Sequence, residues 1–151
     1  MKILQKASLT LIAGFGALLA ATTAHAQSLR AFEATAHQLT IVPGGFAGTG
    51  TVNIMGAVTV TINVVQDFSG YPCNPATAEV TYVGATGSIT TSDAAGWVCP
   101  SATRYGYPFT IQGVWSVTGG TGQFSGIIGS GGYEGTLTNG GNFHSSGIVV
   151  Y

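Results

Sequence analysis

Residues 57–65, AVTVTINVV, alternate apolar and polar side chains almost without error. Val58, Val60, Ile62 and Val64 share one face; Thr59, Thr61 and Asn63 share the other. Side chains of an extended chain point alternately to opposite faces, so this pattern fits a half-buried antiparallel strand. The pattern returns at 109–118. There Phe109, Ile111, Gly113, Trp115 and Val117 oppose Thr110, Gln112, Ser116 and Thr118, with Val114 the exception.

Shorter segments extend the reading. Residues 29–41, 50–54, 79–83, 87–91, 122–128, 133–138 and 143–151 each suit a strand, and 129–132 would join two of them. Met55-Gly56 is a link, and Asn139-Gly140-Gly141 a hairpin turn, since Asn-Gly adopts positive φ readily. Between Asp93 and Pro108 the alternation gives way to glycine, proline, serine and tyrosine, which predicts a loop tied by Cys99. Strong helix formers are scarce beyond residue 26, where the only leucines are Leu29, Leu39 and Leu137. A meander of seven to nine strands must pack two faces together or close on itself. Closure also removes exposed edges, so the expected fold is all-β, a small closed antiparallel barrel of about eight strands.

The N-terminus carries a different signal. Lys2 and Lys6 precede an apolar run over 7–21, and Ala24-His25-Ala26 matches the small-x-small pattern of a signal peptidase site. The run of about 15 residues falls short of the roughly 20 that span a bilayer. Residues 1–26 are therefore expected to be a cleaved signal peptide and 27–151 a single domain, secreted or periplasmic and water-soluble. Export makes the two cysteines legible. Cys73 and Cys99 both sit among prolines and turn formers, and an even count in an oxidising compartment predicts a disulfide between them. Such a bridge contributes roughly 3 kcal/mol on the chain-entropy model.

Charge excludes several classes. From residue 27 onward there are two cations, Arg30 and Arg104, against Glu33, Asp67, Glu79, Asp93 and Glu134, and there is no lysine. A phosphate backbone or an anionic lipid surface needs clustered cations, so neither nucleic acid nor a polybasic membrane contact is expected. His37 and His144 lie on terminal strands that closure would make neighbours. With no acid or cysteine placed beside them they do not predict a metal, and no cofactor is expected. Asp67 and Asp93, beside turn residues, read as turn formers.

Residues 119–129, GGTGQFSGIIG, form the most specific local pattern. Gly119, Gly120 and Gly122 suit a turn needing positive φ; Phe124 suits packing as the strand restarts; Gly126 and Gly129 suit bends or close strand approach. A phosphate loop would need a Gly-Lys-Ser/Thr ending, which is missing. The segment GGTGxFxGxxG, with the preceding 111–117 strand and FAGTG at 46–50, resembles bacterial members of the allene oxide cyclase and dirigent barrel superfamily. That resemblance implies an eight-stranded barrel with an apolar lumen and, in some members, a trimer. Plant members cyclise a fatty-acid epoxide with an acid and ordered water, or steer the coupling of phenolic radicals. The matched positions here are glycines and Phe124, so the resemblance carries a fold and not a catalytic set.

Candidate site residues follow from parity and composition. Glu134 opposes Tyr133, Gly135 and Leu137 in facing, and Glu79 opposes Val80 and Tyr82, so both acids are expected to face solvent. Placed in the lumen instead, either would suit acid–base work. Tyr71, Trp97, Tyr105 and Tyr107 cluster in the least regular regions, with Arg104 among them. They suit packing around the disulfide-tied loop, or a site for an apolar or carbohydrate-like ligand. Val58, Val60, Ile62, Ile111 and Trp115 are expected to point inward and largely fill the barrel. Three functions stand: a small exported barrel binding an apolar ligand or serving a structural role; a cyclase- or isomerase-like enzyme; and a small outer-membrane barrel.

Overall fold

A computed structural model describes residues 27–67, 72–100 and 109–151. The expected signal peptide, with its cleavage site, lies outside the described residues. Eight antiparallel strands follow one another around a closed barrel: β1 Leu29–Val42, β2 Gly45–Val52, β3 Gly56–Gln66, β4 Asn74–Gly84, β5 Gly87–Pro100, β6 Phe109–Gly120, β7 Ile128–Leu137 and β8 Gly141–Val150. Closure comes from β8 pairing with β1, with Leu29 opposite Val150 and Ala36 opposite Phe143.

Alternation becomes an inside and an outside. On β3, Val58, Val60 and Ile62 are buried and Thr59, Thr61 and Asn63 exposed. Ile111 and Trp115 of β6 are likewise buried. Parity would fail along β1, where Phe32, Ala34 and Ala36 face in but so does Leu39. A bulge resolves it: Gln38 takes φ 55°, and the register to both neighbours shifts there.

Three segments differ from the sequence reading. Residues 93–100 are not loop but the second half of β5, which pairs with both β4 and β6. Register shifts between Asp93 and Trp97 carry the strand through its glycine and break the alternation that would have revealed it. Residues 122–127 are not a strand: Gly122–Phe124 form a single 3-10 turn, and Ile128 begins β7, which also takes in Gly129–Gly132. In the glycine motif, Gly122 and Gly126 have φ of 62° and 80°, whereas Gly119 and Gly120 end β6 without positive φ. The hairpin at Asn139-Gly140 is present, but only Gly140 has positive φ, at 78°. Asn139 instead accepts a hydrogen bond from the Ile41 N–H, 3.3 Å away.

The 3-10 turn closes one end of the barrel. Phe124 is fully buried, Ile127 nearly so, and the Phe124 ring lies 5.3 Å from that of Tyr151. The middle is filled by Tyr82, Phe32 and Trp115, with ring centroids 5.7 Å and 5.1 Å apart in sequence. Room for the indole comes from Gly131 and Gly147, where a Cβ would stand 2.6 Å and 2.7 Å from Trp115 Cζ2. Trp115 Nε1 donates to the Gly132 carbonyl at 3.0 Å, so the buried ring keeps its polar edge satisfied.

Candidate functional site

With the middle packed and one end plugged, space for a ligand lies at the other end and on the outer wall. At that other end are the β1–β2 and β7–β8 turns, and there β3 and β5 end and β4 and β6 begin. Residues from six strands converge on it. Ile41, Val42, Phe46, Val64, Val98 and Leu137, together with Phe109 and the polar Gln66, line a mouth recess of about 380 Å³. Among the described residues, Val98 and Leu137 lie buried at its base and Ile41 stands exposed at its rim. The lumen beneath, as bounded by the described residues, holds a void of only about 10 Å³, room for one water at most.

The disulfide stands beside this mouth. Cys73 and Cys99 are bonded, with Cα atoms 4.2 Å apart, and join the approach to β4 to the end of β5. The bridge fixes the two strands whose far connections leave from that end.

Polar groups inside the barrel are few and paired. Asp93 is 2% exposed. Its Oδ1 accepts the Ala95 N–H at 2.8 Å, and Oδ2 accepts the Tyr133 hydroxyl. It is thus a core residue, although its bond to Ala95 is the two-residue reach of an Asx turn. Gly96 and Gly113 make the pairing feasible, because a Cβ at either would run into the Tyr133 hydroxyl. Ile89, Thr91 and Asp93 share inward parity, a signal that was available in the sequence. Tyr82 bonds Ser145, itself 1% exposed.

Burial pushes the Tyr82 phenol up, against a smaller opposing effect from Ser145. Burial also raises Tyr133, and the hydrogen bond and charge of Asp93 raise it further. Unfolded, both phenols ionise near pH 10; folded, they hold their protons higher. The native state therefore binds more protons above about pH 10, and stability falls as pH rises through that range. Alkaline titration followed by phenolate absorbance should show two of the six tyrosines ionising only as the barrel unfolds. Smooth ionisation of all six with circular dichroism unchanged would contradict this.

The acids singled out in the sequence lie elsewhere. Glu134 and Glu79 are both exposed on the outer wall, Glu134 between Gln112 and His144, and Glu79 between Asn63 and Ser92. His37 and His144 share that wall, each with its own partner. His37 Nδ1 is 3.2 Å from Asn142 Oδ1, and His144 Nε2 is 3.1 Å from Glu33 Oε2. Among the described residues no three His, Cys, Asp or Glu side chains converge as for a metal. Trp97 is 46% exposed on the outside of β5. The other aromatic candidates, Tyr71, Tyr105 and Tyr107, and the cation Arg104 lie outside the described residues.

On the outer wall of β7, β8 and β1, Ile128, Ile148 and Leu29 form an exposed apolar patch. Among the described residues no helix is long and apolar enough to cross a membrane. No protein-family model matches the chain, and neither the curated proteins nor the solved structures provide a match.

Proposed function

We propose that the mature chain is an exported binding protein that takes a small apolar ligand at the mouth of its barrel. The observation that carries this reading is the recess of about 380 Å³ walled by Ile41, Val42, Phe46, Val64, Val98 and Leu137. Its volume and largely apolar walls, with Gln66 among them, are those of a small-molecule site. Residues 1–26 support export, and so does a bridge between the two cysteines, a bond kept by oxidising compartments. Kinship with the allene oxide cyclase and dirigent barrels belongs to the same proposal, supported by the strand count and by the glycine motif at the plugged end. The apolar patch around Leu29, Ile128 and Ile148 would serve the homo-oligomer that such kinship implies.

Polarity and packing favour this reading over its rivals. A barrel in lipid turns apolar residues outward and polar ones inward. Here β3 presents Thr59, Thr61 and Asn63 to the outside and buries Val58, Val60 and Ile62. Cyclisation in the lumen would need substrate beside an acid, but Phe32, Tyr82 and Trp115 occupy that space, the buried Asp93 is held by Tyr133 and the Ala95 N–H, and Glu134 and Glu79 sit on the outer wall.

N-phenylnaphthylamine, which fluoresces in apolar surroundings, tests the proposal. The mature protein should enhance its emission saturably. Phe46→Ala should weaken binding about tenfold, the factor given by about 1.4 kcal/mol of lost contact. Enhancement equally strong with Phe46→Ala would move the site away from the mouth, and no enhancement at all would remove the reading.

A further inference from the structure

The registers of five strands place a set of side chains on one line across the outer wall. Trp97 of β5 faces Gln112 of β6, Gln112 faces Glu134 of β7, Glu134 faces His144 of β8, and His144 faces Thr35 of β1. All five point outward. Four strand spacings of about 4.8 Å give the line a length of roughly 19 Å. Two recesses, of about 490 and 450 Å³, flank this row, one toward Val114, Gly132 and Ser146 and the other toward Thr110, Thr136 and Asn142, with Gln112, Glu134 and His144 as the wall they share. The first takes part of its depth from Gly132, which stands between Val114 and Ser146 on the adjoining rung and has no side chain to fill the floor.

We propose that this row, with the recess on its Gly132 side, is a second binding site, separate from the mouth, for a neutral polysaccharide chain. An exposed indole offers a flat apolar face against which the C–H face of a sugar ring packs. Beyond it, an amide, a carboxylate, an imidazole and a hydroxyl follow in file. These groups both donate and accept, as the vicinal hydroxyls of a sugar require. Charge narrows the class further. No lysine or arginine lies on the line, and Glu134, which has no hydrogen-bond partner among the described residues, repels an anionic ligand. Length favours a chain over a single sugar, because one ring beside Trp97 would leave Glu134 and His144 without contact.

Gly132 supplies a clean test. A Cβ there would meet nothing nearer than the Gly113 carbonyl oxygen at 3.6 Å, an ordinary contact, and its φ is not positive. Gly132→Thr should therefore fold normally while filling the recess beside the row. The mature protein, Gly132→Thr, Trp97→Ala and Phe46→Ala would each be run by native electrophoresis. The gels would hold a β-glucan, a xylan, a mannan or polygalacturonate. At least one of the three neutral polymers should retard the wild type. Gly132→Thr and Trp97→Ala should each weaken that retardation about tenfold, and Phe46→Ala should leave it unchanged, which separates this site from the mouth. If Trp97→Ala does not fold, Gly132→Thr decides alone. The proposal is overturned if no neutral polymer retards the protein, if only polygalacturonate does, or if Gly132→Thr is retarded like the wild type.

Discussion

Trp115→Ala should cost about 3–5 kcal/mol, the range for emptying a large aromatic site in a packed core. The side chain is 4% exposed, lies tilted against Phe32, and spans the backbone at Gly131 and Gly147. Its loss would leave a hole that a hydrogen-bonded wall cannot collapse to fill, and would leave the Gly132 carbonyl without its indole partner. Neither glycine can be enlarged to compensate, because a Cβ at Gly131 or Gly147 would also collide with the carbonyl oxygen of Ser146 or Ser130. For a domain of this size the expected fall in melting temperature is roughly 10–20 °C. Added indole should recover part of it by occupying the vacated space. Trp97→Ala is the natural control, since half its ring is already in water and its removal should cost far less. Equal losses from the two substitutions would mean that the barrel centre is not the packed core described.

Phe124→Ala should have an effect of similar size, again about 3–5 kcal/mol, for a different reason. Phe124 belongs to no strand. It is carried by the 3-10 turn between β6 and β7 and seals the barrel end where Tyr151 and Ile127 meet. Truncation would remove the seal without cutting any ladder bond, so the strands should persist while their ends admit water. Hydrogen exchange should accelerate at the amides of Ser88 and Thr121, which bond across this end to the Thr121 hydroxyl and the Ser88 carbonyl. Denaturation midpoints would give the energy and exchange rates its location. An unchanged midpoint would show that the turn does not plug the barrel.

How far these features could be read from the sequence depends on whether local pattern decides them. β3 and β6 were legible because each keeps strict alternation and hence one buried face. Glu134 and Glu79 were placed outside by the same parity, through their neighbours Tyr133, Leu137, Val80 and Tyr82. The second half of β5 was not legible, because the bulge between Asp93 and Trp97 resets the facing and Gly96 looks like punctuation. That glycine is there for the Asp93–Tyr133 pair, a contact between residues 40 apart. The 119–129 motif advertised glycines, but whether a glycine turns the chain or yields space is settled by what lies across from it. Gly120, for instance, faces the Phe124 backbone and Ile127. The mouth was least visible of all. Ile41, Phe46, Val64, Val98 and Leu137 are ordinary apolar residues in five separate segments. Only closure and the bulge at Gln38 bring them to one rim.

The most direct test of the mouth as the ligand site is a titration of the nitrogen-15-labelled mature protein with N-phenylnaphthylamine, followed by amide chemical shifts. The expected shifts cluster at Ile41, Val42, Phe46, Val64, Val98 and Leu137, with the amides around Phe124 and Tyr151 unmoved. Shifts centred on the Phe124 end, or spread evenly over the outer wall, would contradict ligand binding at the mouth.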